Sequence, residues 1–344
     1  MNLALAALLA AGGWAGHTPV HGAPSPSRWV LVYAGGPSRP AYPVDDLVHL
    51  LAVVDSTDRP IGWLCDGVIL TEFQAVSGRF YMPRPNVVPA TGADWELYLD
   101  SVFAKQGPLY RIDKTVDSLD RALKTSGRRL AVAITIPYPN PLADTIHFLG
   151  VSYDQKSDLG RVASVSAYMR EAVRRFRALS LRNLDLKAFY WVYEGIPDVD
   201  REVVSKTSEV VHDLGFLFLW IPSWRAHNAL NWKALGFDDA WLQPNYFFHP
   251  DIPLNRMDSA ATMSVAAGMG IELELDRRMF GDSLFANRLG PYLELFERHP
   301  DLRSRSIAIY EGAGALIRLA RSRDAEHRAV YERLVKAMGM VAAR

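Results

Sequence analysis

Short apolar runs alternate along nearly the whole chain with longer stretches in which apolar residues recur every three or four positions. Runs of this length bounded by Gly, Pro, Asn or Asp predict buried strands, and the three-and-four spacing predicts amphipathic helices. Strands are expected at residues 29–33, 66–72, 130–136, 186–194, 216–221, 239–243, 268–276 and 306–311. The clearest helix lies between the third and fourth. There Val162, Val165, Met169, Ala172, Val173, Phe176 and Leu179 share one face, and Arg170, Arg174, Arg175 and Arg177 lie elsewhere. Further helices are expected over residues 44–53, 94–105, 112–126, 200–214, 255–267, 288–299 and 324–340, with long loops at 73–94 and 137–158.

Strands that each lead into a helix indicate parallel βα units. Eight such units over this length predict an α/β fold of one domain, a (β/α)8 TIM barrel spanning residues 29–344. An open doubly wound sheet is the alternative, but it normally carries a Gly-rich phosphate turn near its start, and none is there.

The seventh strand breaks the pattern of the others. Ile271, Leu273 and Leu275 alternate with Glu272, Glu274 and Asp276, so a period of two puts three carboxylates on one face. Burying charge is costly unless it is paired or used. The strand is therefore either one wall of an enclosed acidic cleft or an amphipathic edge with its acids in water, and the barrel context favours the first.

Active sites of such barrels lie at the C-terminal ends of the strands. Those ends present Tyr33, Glu72, Tyr138, Glu194, Trp220, Trp224, Gln243, Asn245, Tyr246, Glu272, Glu274 and Glu311, and four of the eight strands finish on or near a glutamate. Carboxylates, amides and aromatic faces together suit carbohydrate: carboxylates transfer protons or attack, amides hold hydroxyls, and rings stack on sugars. Glu194, after the mostly apolar Tyr190-Trp191-Val192-Tyr193, is expected as the catalytic acid/base. Glu274 is expected as nucleophile or base, with Glu272 deeper, supporting a hydrogen-bond network. Gln243, Asn245 and Tyr246 either hold hydroxyls or cap a loop. Trp220 and Trp224 are expected to floor a sugar subsite, with Trp220 equally suited to the core. Tyr33, Glu72, Tyr138, Tyr310 and Glu311 are expected to line the pocket. A non-catalytic carbohydrate-binding barrel is the alternative; it needs the aromatics but not the acid pair.

Composition narrows the partners. Among 344 residues, Lys plus Arg and Asp plus Glu both number 38, which leaves no net field to draw nucleic acid or an anionic membrane surface. The single cysteine, Cys65, excludes an intrachain disulfide and a cysteine metal site. His147, His227 and His249 fall in loops without metal-binding spacing, and no Walker sequence, nucleophile elbow or dinucleotide fingerprint is present, so neither metal nor cofactor is expected. The apolar run at residues 3–11, followed by small residues up to Val20-His21-Gly22, predicts a signal peptide over 1–22, a short linker over 23–28 and export to the periplasm, cell surface or medium. No stretch is long and apolar enough to span a membrane.

Several segments, taken in order, resemble a known family. They are Tyr190-Trp191 with Glu194, Trp220-Ile-Pro222, Gly236-Phe-Asp238, Gln243-Pro-Asn-Tyr-Phe247, Gly268-Met-Gly-Ile-Glu-Leu-Glu274 and Tyr310-Glu-Gly312. The family is a bacterial one of domains of unknown function, often found in secreted or surface proteins and itself similar to glycoside-hydrolase barrels. The resemblance runs from about residue 30 to residue 340. It implies the barrel and a sugar-directed role. Many retaining glycosidases place Asn before the acid/base glutamate of the fourth strand, and Tyr193 stands there instead.

Overall fold

The structure is a computed structural model that describes residues 27–36, 42–125 and 127–339. The expected signal peptide, and the linker up to residue 26, lie outside the described residues. Eight strands form the barrel: β1 (Arg28–Tyr33), β2 (Gly67–Thr71), β3 (Leu130–Ile136), β4 (Leu184–Trp191), β5 (Leu217–Trp220), β6 (Asp239–Leu242), β7 (Gly270–Asp276) and β8 (Ile307–Gly312). Each pairs in parallel with the next along the chain, and β1 pairs with β8 from Arg28 opposite Ile307 to Val30 opposite Ile309, which closes the ring. Closure buries both strand faces, one in the interior and one under helices. Continuous apolar runs such as Leu130–Ile136, buried at every position, follow from that.

The helices are α1 (Val44–Leu51), α2 (Gly92–Val102), α3 (Pro108–Leu123), α4 (Asp158–Ala178), α5 (Arg201–Asp213), α6 (Asn255–Ala267), α7 (Gly290–Arg298), α8 (Ala315–Arg321) and α9 (Ala325–Ala337). Local chemistry sets their ends. Thr91 and Asp94 form a reciprocal capping box that starts α2, and Gly268, at φ +68°, closes α6 so that β7 begins two residues later than the alternation alone implied. No described helix is long and apolar enough to cross a membrane.

The structure departs from the expected elements in several places, among them a one-turn helix at Ser283–Ala286. The connection from β5 to β6 contains no α-helix, only a short 3-10 turn at Ala229–Asn231, because Pro222 and the left-handed Arg225 and Asn228 interrupt any helical run. Helix α1 stops at Leu51 because Ala52–Val54 pairs antiparallel with Pro60–Trp63; Asp55 turns that hairpin by accepting the Thr57 and Arg59 N–H groups at 2.8 and 3.1 Å. The loop after β3 holds a second hairpin, Thr145–Phe148 with Val151–Asp154, turned by Leu149 and Gly150, both at positive φ. Helix α8 was not anticipated between β8 and α9.

Side chains fill the interior in layers. At the N-terminal end of the barrel the rings of Trp29 and Trp241 meet edge to face at 6.3 Å, and Gly67 and Gly270 make room for them. A Cβ on Gly67 would lie 2.6 Å from the Trp29 ring, and one on Gly270 would lie 2.5 Å from Trp241 and 2.1 Å from the Ser306 carbonyl. Two indoles therefore plug the lower barrel, and any site must lie above them.

Candidate functional site

Above the indoles, the period of two in β7 turns Glu272 and then Glu274 inward, both buried. Tyr33 of β1, Tyr190 of β4 and Glu194 of the following turn converge with them: the phenol of Tyr33 is held well above its ordinary range by burial, then by Tyr310, Tyr190, Glu272 and Glu194. Burial also drives Glu272 well above the usual carboxylate range, with Glu274 and Glu194 adding to the effect. Asp276, the third acid of the alternation, sits at the rim, where it pairs with Arg278 at 2.7 Å.

Glu274 has the most developed surroundings. Burial, reinforced by the Glu194 charge, pushes its carboxyl up to about 8 against the opposing hydrogen bond from the Tyr292 hydroxyl to Oε2. The N–H groups of Tyr246 and Asn245 pull more weakly and do not close onto Oε1, which is buried without a hydrogen-bond partner. Tyr292 comes from α7, and its oxygen also accepts the N–H groups of Tyr246 and Phe247 at 3.2 and 3.1 Å. Arg288 completes the cover: its guanidinium lies 3.7 Å from the Tyr246 ring centre and its Nε donates to the Tyr246 carbonyl at 2.9 Å.

Glu194 lies three residues beyond the end of β4, where the chain has left the barrel wall. The Ser223 hydroxyl donates to its Oε2 at 2.6 Å and the Ser223 N–H to its carbonyl at 3.0 Å, tying the turn after β4 to the turn after β5. Of the three glutamates only Glu194 reaches solvent. It borders a cavity of about 420 Å³ lined also by Met82, Arg84, Tyr193, Ser223 and His227.

An aromatic wall completes the mouth. Phe73, Tyr33, Tyr310 and Phe248 follow one another edge to face at 5.4, 5.5 and 5.2 Å, with Arg84 over Phe73 and Arg278 over Phe248. Half-buried Phe73, Tyr310 and Phe248 present ring surface beside the acids.

Other residues expected at the site are placed elsewhere or already engaged. Trp220 is wholly buried, stacked on Phe237 at 5.0 Å, and donates to the Tyr193 carbonyl at 2.8 Å, so it belongs to the core. The ring of Trp224 faces two arginines, Arg225 and Arg256, instead of lying bare. Gln243 donates to the Ile221 carbonyl at 3.2 Å, Asn245 donates to Gln243 Oε1 at 2.9 Å, and Asn245 Oδ1 accepts the Trp224 N–H at 2.8 Å; the amides stitch neighbouring turns together. Tyr138 donates to Asp200 at 2.8 Å within a buried cluster completed by Arg161, which reaches Asp200 at 2.7 Å. Glu72 accepts the Phe73 N–H at 2.8 Å and acts on Tyr81 and Tyr98. Glu311, on the opposite face of β8 from Tyr310, accepts from Tyr42 at 2.6 Å. Tyr292, Ser223 and Arg256 were missed because they act across long sequence separations, and no local pattern marks them. Among the described residues no three of His, Cys, Asp or Glu gather closely enough to hold a metal ion.

Comparison with known proteins gives a family match over almost the whole described chain: residues 28–336 match the family described as Domain of unknown function (DUF4855). No curated protein sequence matches. Among solved structures, a mutant tryptophan synthase alpha-subunit from Pyrococcus furiosus aligns at 10% identity and a TM-score of 0.40, covering 91% of this chain and 98% of that one. A candidate alpha-L-fucosidase from Bacteroides thetaiotaomicron aligns at 11% identity and a TM-score of 0.47, covering 90% and 92%. The carboxyl transferase domain of Rhizobium etli pyruvate carboxylase aligns at 11% identity and a TM-score of 0.35, covering 73% of this chain and 40% of that one. Likeness at this level says nothing of chemistry.

Proposed function

The chain belongs to the family described as Domain of unknown function (DUF4855), and from the chemistry at its barrel mouth we propose that it cleaves a glycosidic bond in a poly- or oligosaccharide using Glu194 and Glu274. The observation that carries this is the position of Glu274, wholly buried at the catalytic end of a closed barrel, where burial and, to a lesser degree, Glu194 push its carboxyl up to about 8. Glu274 carries its proton at neutral pH and suits the donor to the leaving oxygen. Glu194, on the cavity, takes the part of base or nucleophile. These roles exchange the ones expected from the sequence, because Glu274 is the carboxyl that burial within β7 raises to about 8. Tyr246 and Arg288 stand over Glu274, so contact with a sugar requires the turn at residues 245–248 to swing outward. Phe73, Tyr310 and Phe248 supply ring surface for sugar faces. We also take the protein to be exported, on the strength of the leader-like run at residues 3–11; N-terminal sequencing of the secreted chain should begin near Ala23.

The test is turnover on a panel of polysaccharides by the wild type and by Glu194→Gln and Glu274→Gln. Each substitution should lower kcat by about 10²-fold or more. Folded variants with full activity would end the proposal. A second reading, a carbohydrate-binding barrel without turnover, draws support from the sealing of Glu272 and Glu274 beneath their neighbours. Glycan binding that neither substitution alters, with no bond cleaved, selects it.

A further inference from the structure

Two arginines press on one indole at the rim of the barrel. The guanidinium of Arg225 lies 5.4 Å from the Trp224 ring centre and that of Arg256 lies 4.6 Å from it. Like charges held together repel. Burial and the Arg225 charge pull the Arg256 guanidinium below its ordinary value. Among the described residues, neither has a carboxylate oxygen within 4.0 Å. Some other arginines of this protein are neutralised, Arg28 and Arg128 by Asp66, Arg161 by Asp200 and Arg278 by Asp276, while Arg288 and Arg318 share the lack of a carboxylate partner among the described residues. The pair is also held in place. Asn245 fixes the Trp224 N–H at 2.8 Å, Arg256 Nη1 donates to the Pro244 carbonyl at 3.2 Å, and Arg225 keeps a left-handed backbone, φ +53°, that a non-glycine residue adopts at a cost.

The pair adjoins the reacting carboxyls. Ser223, next to Trp224 in sequence, donates to Glu194, and Arg256 lies near enough to Glu274 to be influenced by that carboxyl when it ionises. With Glu274 pushed up to about 8 and Glu272 raised by burial, these two carboxyls repel an anion less than ionised ones would.

We infer that Arg225 and Arg256, aligned by Trp224, form a subsite for an anionic substituent, a uronate carboxylate or a sulfate ester, on the sugar bound at the barrel mouth. The inference rests on the glycan reading above and narrows it from sugars in general to acidic ones. Guanidinium forks match the paired oxygens of carboxylate and sulfate, and Arg256 has donors left after its bond to Pro244. A neutral sugar offers neither arginine a carboxylate partner at salt-bridge distance; an acidic one supplies it.

Calorimetric titration of the intact protein with two matched pairs of probes tests this. One pair is a galacturonate trimer and its methyl ester; the other is a sulfated kappa-carrageenan hexasaccharide, which carries no uronate, and its desulfated form. The charged member of one pair should bind about tenfold tighter or more than its neutral partner, and which pair shows it distinguishes carboxylate from sulfate. That preference should shrink as salt rises and collapse toward unity in Arg225→Gln and Arg256→Gln. Arg225 is exposed, so its replacement leaves packing untouched, and circular dichroism verifies the fold of both variants. Equal binding within both pairs, or a preference that survives both substitutions, overturns the subsite and leaves the glycan reading standing. If none of the four probes binds, the acidic subsite falls, and turnover on the polysaccharide panel decides the glycan reading separately.

Discussion

Tyr292 reaches from α7 to donate its hydroxyl hydrogen to Glu274 on β7, while the same oxygen accepts the N–H groups of Tyr246 and Phe247. One hydroxyl thus joins a helix, an interior acid and the turn after β6. Tyr292→Phe strands two buried N–H groups and a carboxyl, and should cost about 1–3 kcal/mol in urea denaturation. It should also move the Glu274 titration upward, since the phenol opposes the effect of burial; carboxyl carbon shifts followed against pH read this directly.

Stability should vary with pH in opposite senses at two carboxyls. Glu274 titrates at about 8 when folded and at about 4.3 when unfolded, so the folded state binds more protons between those values. Its contribution is complete below the unfolded value and is lost as pH rises through the folded one. Glu272, raised for the same reason, acts in the same direction. Asp66 does the reverse: against the cost of burial, Arg28, Ser27 and Arg128 hold it down to about 2. Its contribution is present above about 3.9 and disappears as the acid range is entered. Thermal melts across pH should lose part of their alkaline slope in Glu274→Gln and part of their acid slope in Asp66→Asn.

Ser223→Ala removes the side-chain hydrogen bond that orients Glu194 but keeps the backbone link between the same two residues. Turnover should fall about tenfold with little change in the denaturation midpoint. An unchanged rate would show that the carboxylate is positioned without its hydroxyl partner.

Gly270→Ala should destabilise the barrel by about 1–3 kcal/mol. The added methyl meets the Ser306 carbonyl on the backbone beside it and the ring of Trp241, and neither can rotate away as a flexible side chain would. Near-ultraviolet circular dichroism, dominated by buried indoles, should change along with the midpoint.

The sequence carried the barrel because period and burial are written locally: eight apolar runs can be read one at a time, and so can the acids alternating along β7. It carried Glu272, Glu274 and Glu194 as neighbours because strand ends of one ring share one mouth. It did not carry the state of Gln243, Asn245 and Trp224. Residue type states what a side chain can bond, but not whether a nearby turn already occupies it, as Ile221 does for Gln243. The hairpin at Ala52–Val54 was hidden because Val53 also satisfies helical spacing, and only its partner Gly62 makes it a strand. Tyr292 was invisible for a related reason: on α7 it reads as one more apolar-face aromatic, and its hydroxyl gains meaning only from an acid on another element.

The pairing of Arg28 with Ile307 sets an order of events during synthesis. The first strand leaves the ribosome long before the last, so β1 and β7 present open hydrogen-bonding edges until β8 arrives. A chain cut short before residue 307 has a sheet that cannot close, with two adhesive margins in place of none, and such fragments should aggregate while the complete chain stays dispersed.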